Sequence, residues 1–203
     1  MNYYITWFLS LKSRHLFFLI FGIPFLAQII LIEILIGTGD NFSTGVLAHL
    51  RIMSVVIFAS LTTYLLWCWS VAMFFYAKAP LHIIKHVARF KLMFVLSLFY
   101  ILVFAMSIGG GNLLSHIEHE EWHIILLIGI HVMGSGAMMY CLYFVARTVK
   151  TFELQRELKF EDFSEEFFLL LFFPLGVWKI QPKINALASS AQEYNNHKYS
   201  NKE

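Results

Sequence analysis

The residues best suited to chemistry lie in one short stretch, Ser115-His116-Ile117-Glu118-His119-Glu120-Glu121-Trp122-His123. Its last five residues read H-E-x-x-H. On a helix that spacing sets His119 and His123 on one face. Both imidazoles can then ligate zinc while Glu120 acts as general base on a metal-bound water. His116 is a third possible ligand, because His116, His119, His123 and His131 fall within roughly a third of a helix circumference. As a protease signature the pattern is incomplete, since the downstream glycine and third His of the metzincins are missing. The same residues also read as a polar, pH-sensitive loop that caps a helix.

Three further polar residues fall within apolar runs: Gln28, Glu33 and His131. An ionisable side chain in lipid is costly and marks a functional position by default. Glu33, about one turn from Gly37, can equally reach the interface. His131 as a haem ligand would need a second mid-membrane His on a facing helix, and His15 and His49 lie at the edges of their runs. Cys68, beside Trp67 and Trp69, and Cys141, beside Tyr140, read as packing residues with no disulfide framework. No glycine-rich phosphate cradle, G-x-S-x-G or cysteine-based metal pattern occurs. A net charge of +2 gives no ground for nucleic-acid binding.

The elements that carry these residues are set by lipid. The 203-residue chain is 59% hydrophobic and 14% charged, whereas soluble domains run at roughly 45–50% and about 25%. Four apolar runs, 16–37, 52–77, 92–108 and 123–145, match the ~20 residues that cross a ~30 Å hydrocarbon core. Pro24 predicts a kink in the first. Gly134, Ser135, Gly136 and Ala137 in the fourth predict close helix–helix approach. Lys12 and Arg14 precede the first run, and Lys78, Lys85, Arg89 and Lys91 lie in the second connection. Arg147, Lys150, Arg156 and Lys159 follow the fourth. The positive-inside rule then predicts an inner-membrane protein with both termini and the second loop in the cytoplasm.

The second loop places His82, Lys85, His86 and Arg89 on one helical face, which suits an anionic membrane surface or a cytoplasmic protein partner. After the fourth run the chain turns polar, then apolar over 167–178, too short to span and broken by Pro174 and Gly176. Trp178 and Lys179 suit a headgroup-level anchor. The tail from Ser189 is polar and predicts disorder. The expected architecture is all-α: a four-helix transmembrane bundle over 1–150, a cytoplasmic amphipathic helix and a membrane-hugging re-entrant or interfacial hairpin over 151–188, and a disordered tail over 189–203.

Residues 172–185, FFPLGVWKIQPKIN, are similar to a run in small multi-pass membrane proteins of Bacteroidota, of the form F-F-P-[IL]-G-[IV]-W-x-[IL]-Q-P-[RK]-[IL]-N. More loosely, size and span count resemble the membrane accessory proteins of type VI-B CRISPR systems. The first resemblance implies kinship and location, and the second an accessory protein beside a cytoplasmic effector. The unusual sequence on the cytoplasmic side and the lack of a complete catalytic set read as non-enzymatic, with a homo-oligomer open. Lys85, Arg89, Pro174, Trp178, Gln181 and Lys183 would be the contact residues, and no cofactor would be needed. The alternative from the residues themselves is a membrane zinc metalloprotease or metal-binding protein at His119-Glu120-x-x-His123. A pore or transporter built on Gln28 and Glu33 is a third.

Overall fold

Apolar runs longer than any soluble core requires become helices, because lipid offers backbone N–H and C=O groups no partner outside their own segment. The computed structural model describes residues 3–37, 42–79, 86–109 and 121–200. Their helices are α1 (Tyr3–Ser10), α2 (Ser13–Phe17), α3 (Ile23–Gly37), α4 (Phe42–Lys78) and α5 (Val87–Gly109). Three more follow: α6 (Glu121–Leu154), α7 (Phe160–Leu171) and α8 (Phe173–Ser200). No strand occurs among the described residues. Four stretches are long and apolar enough to cross a membrane: Ser13–Ile34, Gly45–Lys78, Val87–Gly109 and Ile125–Leu154. The chain is an all-α membrane protein.

Where a kink is expected at Pro24, the irregularity is taken up one turn earlier. A single π turn, Phe18–Gly22, separates α2 from α3. Pro24 has no N–H, and in a regular helix its ring would meet the carbonyl of Ile20. Widening the preceding turn relieves that clash.

The chain divides into two units. Met1–Phe17, Leu66–Lys91 and Met139–Glu203 form a terminal unit; Phe18–Leu65 and Leu92–Met138 form the other. Of the 15 Lys and Arg residues, all but Arg51 belong to the terminal unit. Aromatic stacking fills its core. Phe90 lies between Trp69 and Phe144, with ring centroids 5.5 and 4.5 Å away, and Phe75 meets Phe152 at 5.0 Å. Cys68 and Cys141 are fully buried and form no disulfide.

The other unit is held by small residues against larger ones. A Cβ added to Gly134 of α6 would collide with the Tyr100 ring of α5, whereas one added to Gly136 meets nothing within 4 Å. Of the glycines expected at a close contact, Gly134 makes it and Gly136 does not. Gly134→Leu is expected to lower the thermal unfolding midpoint in detergent, by an overpacking cost of about 1–3 kcal/mol. Gly136→Leu should leave it nearly unchanged. Equal midpoints for the two variants would contradict this packing.

After the fourth span the chain folds into a pair of helices. It reverses at Phe172 (φ −95°, ψ 51°), and Lys183 of α8 returns to within 2.7 Å of Glu166 of α7. Pro174 sits in the first turn of α8, where its missing N–H would have had no helical partner. Gly176 is required by close approach, since a Cβ there would meet the Leu169 carbonyl. The tail departs from expectation: α8 runs on to Ser200 rather than stopping near Ser189. Ala188 and Ala191 are buried, and Lys78 Nζ donates to the Ala191 carbonyl at 3.3 Å. Packing of this small-residue face carries the helix into polar sequence that would not hold one alone.

Candidate functional site

The polar residues of the 172–185 run converge inside the terminal unit. Gln181 and Asn185 are one helical turn apart on α8, and Gln181 Nε2 donates to Asn185 Oδ1 at 2.9 Å. Both face the two-residue break between α1 and α2, where the Leu11 carbonyl has left the helical ladder. That carbonyl accepts from Gln181 Nε2 at 3.0 Å and from Asn185 Nδ2 at 3.1 Å. The Phe8 carbonyl lies 3.4 Å from the same Gln181 amide. On the other side Gln181 Oε1 accepts from the indole Nε1–H of Trp67 at 3.0 Å. The one amide therefore ties the N-terminal helices, α4 and α8 together, and it is fully buried.

The apolar positions of the run explain the rest of its pattern. Phe173, Val177, Ile180 and Ile184 are buried, and Phe173 meets Trp67 edge-on with centroids 5.6 Å apart. Residues at this 3–4 spacing form the core face of α8.

A second polar cluster binds the hairpin to α6. Lys150 Nζ lies 3.1 Å from both Glu153 and Glu166, and Lys183 Nζ lies 2.7 Å from both. The four charges alternate in a ring across α6, α7 and α8. Glu166 is only 2% exposed, and its Oε2 has no hydrogen-bond partner among the described residues. At the entry to α7, Arg156 grips Asp162 at 2.7 and 3.3 Å, and Asp162 also accepts the Lys159 backbone N–H at 2.9 Å. The Arg156 contact, then that N–H, hold the Asp162 carboxyl below the ordinary aspartate range. A lowered folded value stabilises at neutral pH, and that contribution is lost as pH falls into the acid range.

These positions correct the sequence reading. Gln181, expected to touch a partner, has no surface to offer, and Lys183 is engaged by two carboxylates. Both serve internal docking: the buried Gln181 amide must find partners inside, and the part-exposed Lys183 ammonium compensates the buried Glu166 carboxylate. Pro174 is half-buried in the first turn of α8. Trp178 and Arg89 are exposed, and the Trp178 ring lies 5.5 Å from that of Phe17. Phe168, Phe172 and Leu175 are exposed on the same hairpin. Lys85 lies outside the described residues.

His116, His119 and Glu120 also lie outside the described residues, and for His123 only the backbone, within α6, is described. Among the described residues no group of three or more His, Cys, Asp or Glu side chains could hold a metal ion. Glu33 is exposed near the end of α3, and Gln28 is half-buried with its Oε1 unpartnered among the described residues. His131 shares a hydrogen bond with Tyr100 through Nδ1, at 2.8 Å. The pair borders an apolar cavity of about 310 Å³ that includes Phe104 and Ser107.

The Trp67–Gln181–Leu11 connection and the ion-pair ring do not follow from the sequence. A Gln and a Trp in apolar surroundings carry the signal, since each must find a partner when buried; the identity of the partner is not in it. The fold and the site define a helical membrane protein with a polar-locked terminal unit. No protein-family model matches the chain, and no curated protein or solved structure is similar to it.

Proposed function

We infer that the chain is a non-enzymatic membrane accessory or regulatory protein that engages a cytoplasmic protein partner through its terminal unit. The observation that carries the reading is how the terminal unit divides its residues. Its buried Gln181 and Glu166 are engaged within the unit, by Trp67 and Leu11 and by Lys150 and Lys183, which rigidifies the hairpin. Its outer surface combines exposed apolar side chains at Phe168, Phe172, Leu175 and Trp178 with exposed cations at Arg89, Lys91 and Lys179. The apolar part suits headgroup depth, where Trp and Lys anchor, and the cations remain for a partner. The concentration of Lys and Arg in that unit supports an inner-membrane orientation with both termini cytoplasmic.

The partner class implied by the resemblance is an RNA-targeting CRISPR effector of type VI-B. The test is co-expression with such an effector and purification in mild detergent. Wild type should retain the effector. Arg89→Glu with Lys91→Glu should lose it, with membrane insertion and thermal midpoint unchanged, since surface charge reversal costs little stability. Retention by the double variant, or no retention by wild type, would overturn the reading.

A further inference from the structure

Arg51 is the only Lys or Arg in the unit formed by Phe18–Leu65 and Leu92–Met138. It stands at one end of a groove of about 450 Å³ between α4 and α5. The geometry of that end is set by two small residues. Gly109, the last residue of α5, packs so closely on Ser54 that an added Cβ would collide with its hydroxyl. The Ser54 hydroxyl is turned back to its own helix, donating to the Arg51 carbonyl at 2.7 Å. Beyond this pinch the groove is lined by Val55 and Phe58 of α4 and by Leu102 and Met106 of α5.

The charge has no counterpart among the described residues. Among the described residues no carboxylate lies within ion-pair distance of Arg51, and the exposed Glu33 makes no such contact. An exposed guanidinium at the boundary of a membrane unit reaches the headgroup level, where phosphate oxygens are the anions at hand. The groove supplies the other half of the specification. From Arg51 to Phe58 it runs roughly 10 Å along α4, and apart from Arg51 and Ser54 every lining residue is apolar or glycine. The mouth lies where α5 ends, which is where a spanning helix meets the headgroups.

We propose that this groove is a binding site for one anionic phospholipid, its phosphate paired with Arg51 and one acyl chain lying between α4 and α5. A guanidinium suits this task because its planar fork bonds two phosphate oxygens at once. The chain segment along Val55, Phe58, Leu102 and Met106 supplies the area, and the headgroup supplies the selectivity. Every residue of the site belongs to this one unit, so it requires no protein partner.

The test uses the full chain in mild detergent, mixed with phosphatidylglycerol or with phosphatidylcholine, and counts retained lipids by native mass spectrometry. Wild type should hold one phosphatidylglycerol with about fivefold preference, the factor that corresponds to ~1 kcal/mol for one basic residue near anionic lipid. Arg51→Gln should abolish the preference and Arg51→Lys should keep most of it. Val55→Trp, which fills the groove without touching the cation, should reduce retention of both lipids. Arg51 and Val55 are exposed, so none of these variants removes core packing. Equal retention of the two lipids by wild type, or a preference that survives Arg51→Gln, would overturn the proposal. Displacement of phosphatidylglycerol by inorganic phosphate alone would also overturn it, by showing a free-anion site.

Discussion

Gln181→Leu is expected to destabilise the protein by about 2–4 kcal/mol, measured as a fall in the thermal midpoint in detergent and as faster proteolysis of the N-terminal helices. The replacement fits the volume and adds apolar surface, so an argument from burial alone predicts no loss. Hydrogen-bond accounting predicts otherwise. The Trp67 indole N–H loses its acceptor inside a fully buried site, and Asn185 Oδ1 loses its donor. The Leu11 carbonyl keeps Asn185 but loses Gln181. An orphaned buried donor costs about 1–3 kcal/mol, more than the net value of a hydrogen bond made. Trp178→Leu is the control. Trp178 lies one helical turn before Gln181 on α8, but its side chain is exposed and takes no part in these hydrogen bonds. That variant gives up one ring contact, with Phe17, and should cost less, about 0.5–1.5 kcal/mol. A Gln181→Leu midpoint equal to that of wild type would remove the polar lock as a source of stability.

The spans were legible because the physics that makes them is local. Twenty apolar residues in a row have one stable solution in lipid, so residues 92–108 could be read directly and are enclosed by α5, Val87–Gly109. The ends were less legible, since α4 and α6 continue well past the apolar runs that announced them. The extension of α6 is helical through packing, with Ala146, Thr148, Val149 and Thr151 buried, which a single sequence does not display. The break read at Pro174 and Gly176 falls instead at Phe172: Pro174 sits in the first turn of α8 and Gly176 lies within that helix, where it allows close approach to Leu169. The polar residues that follow misled for the same reason that they are informative. A Gln, a Lys and an Asn near the end of a membrane chain read as surface, yet Gln181 finds Trp67 more than a hundred residues away in sequence. The residue type declares the need for a partner, and only the fold supplies one.

The ion-pair ring makes the sharper test of whether the hairpin is a fixed part of the terminal unit. Glu166→Ala is expected to cost about 2–4 kcal/mol, below the full penalty for breaking a buried pair because water screens the lysines in part. Lys150 and Lys183 side chains are 18% and 29% exposed, whereas that of Glu166 is 2% exposed. Without Glu166 two ammonium groups share Glu153 alone, and each repels the other across it. Glu166→Gln keeps the shape and an acceptor oxygen but removes the charge, so its loss should be smaller than that of Glu166→Ala. Combining Glu166→Leu with Lys183→Met should recover part of the loss, because apolar side chains of similar volume often replace a buried pair at little cost. Thermal midpoints of the single and double variants form a mutant cycle. Additive losses would mean that Glu166 and Lys183 do not interact. A coupled loss confined to the hairpin's protection from hydrogen exchange, with α4 and α5 unaffected, would instead show that α7 and α8 can open as one piece on a standing bundle.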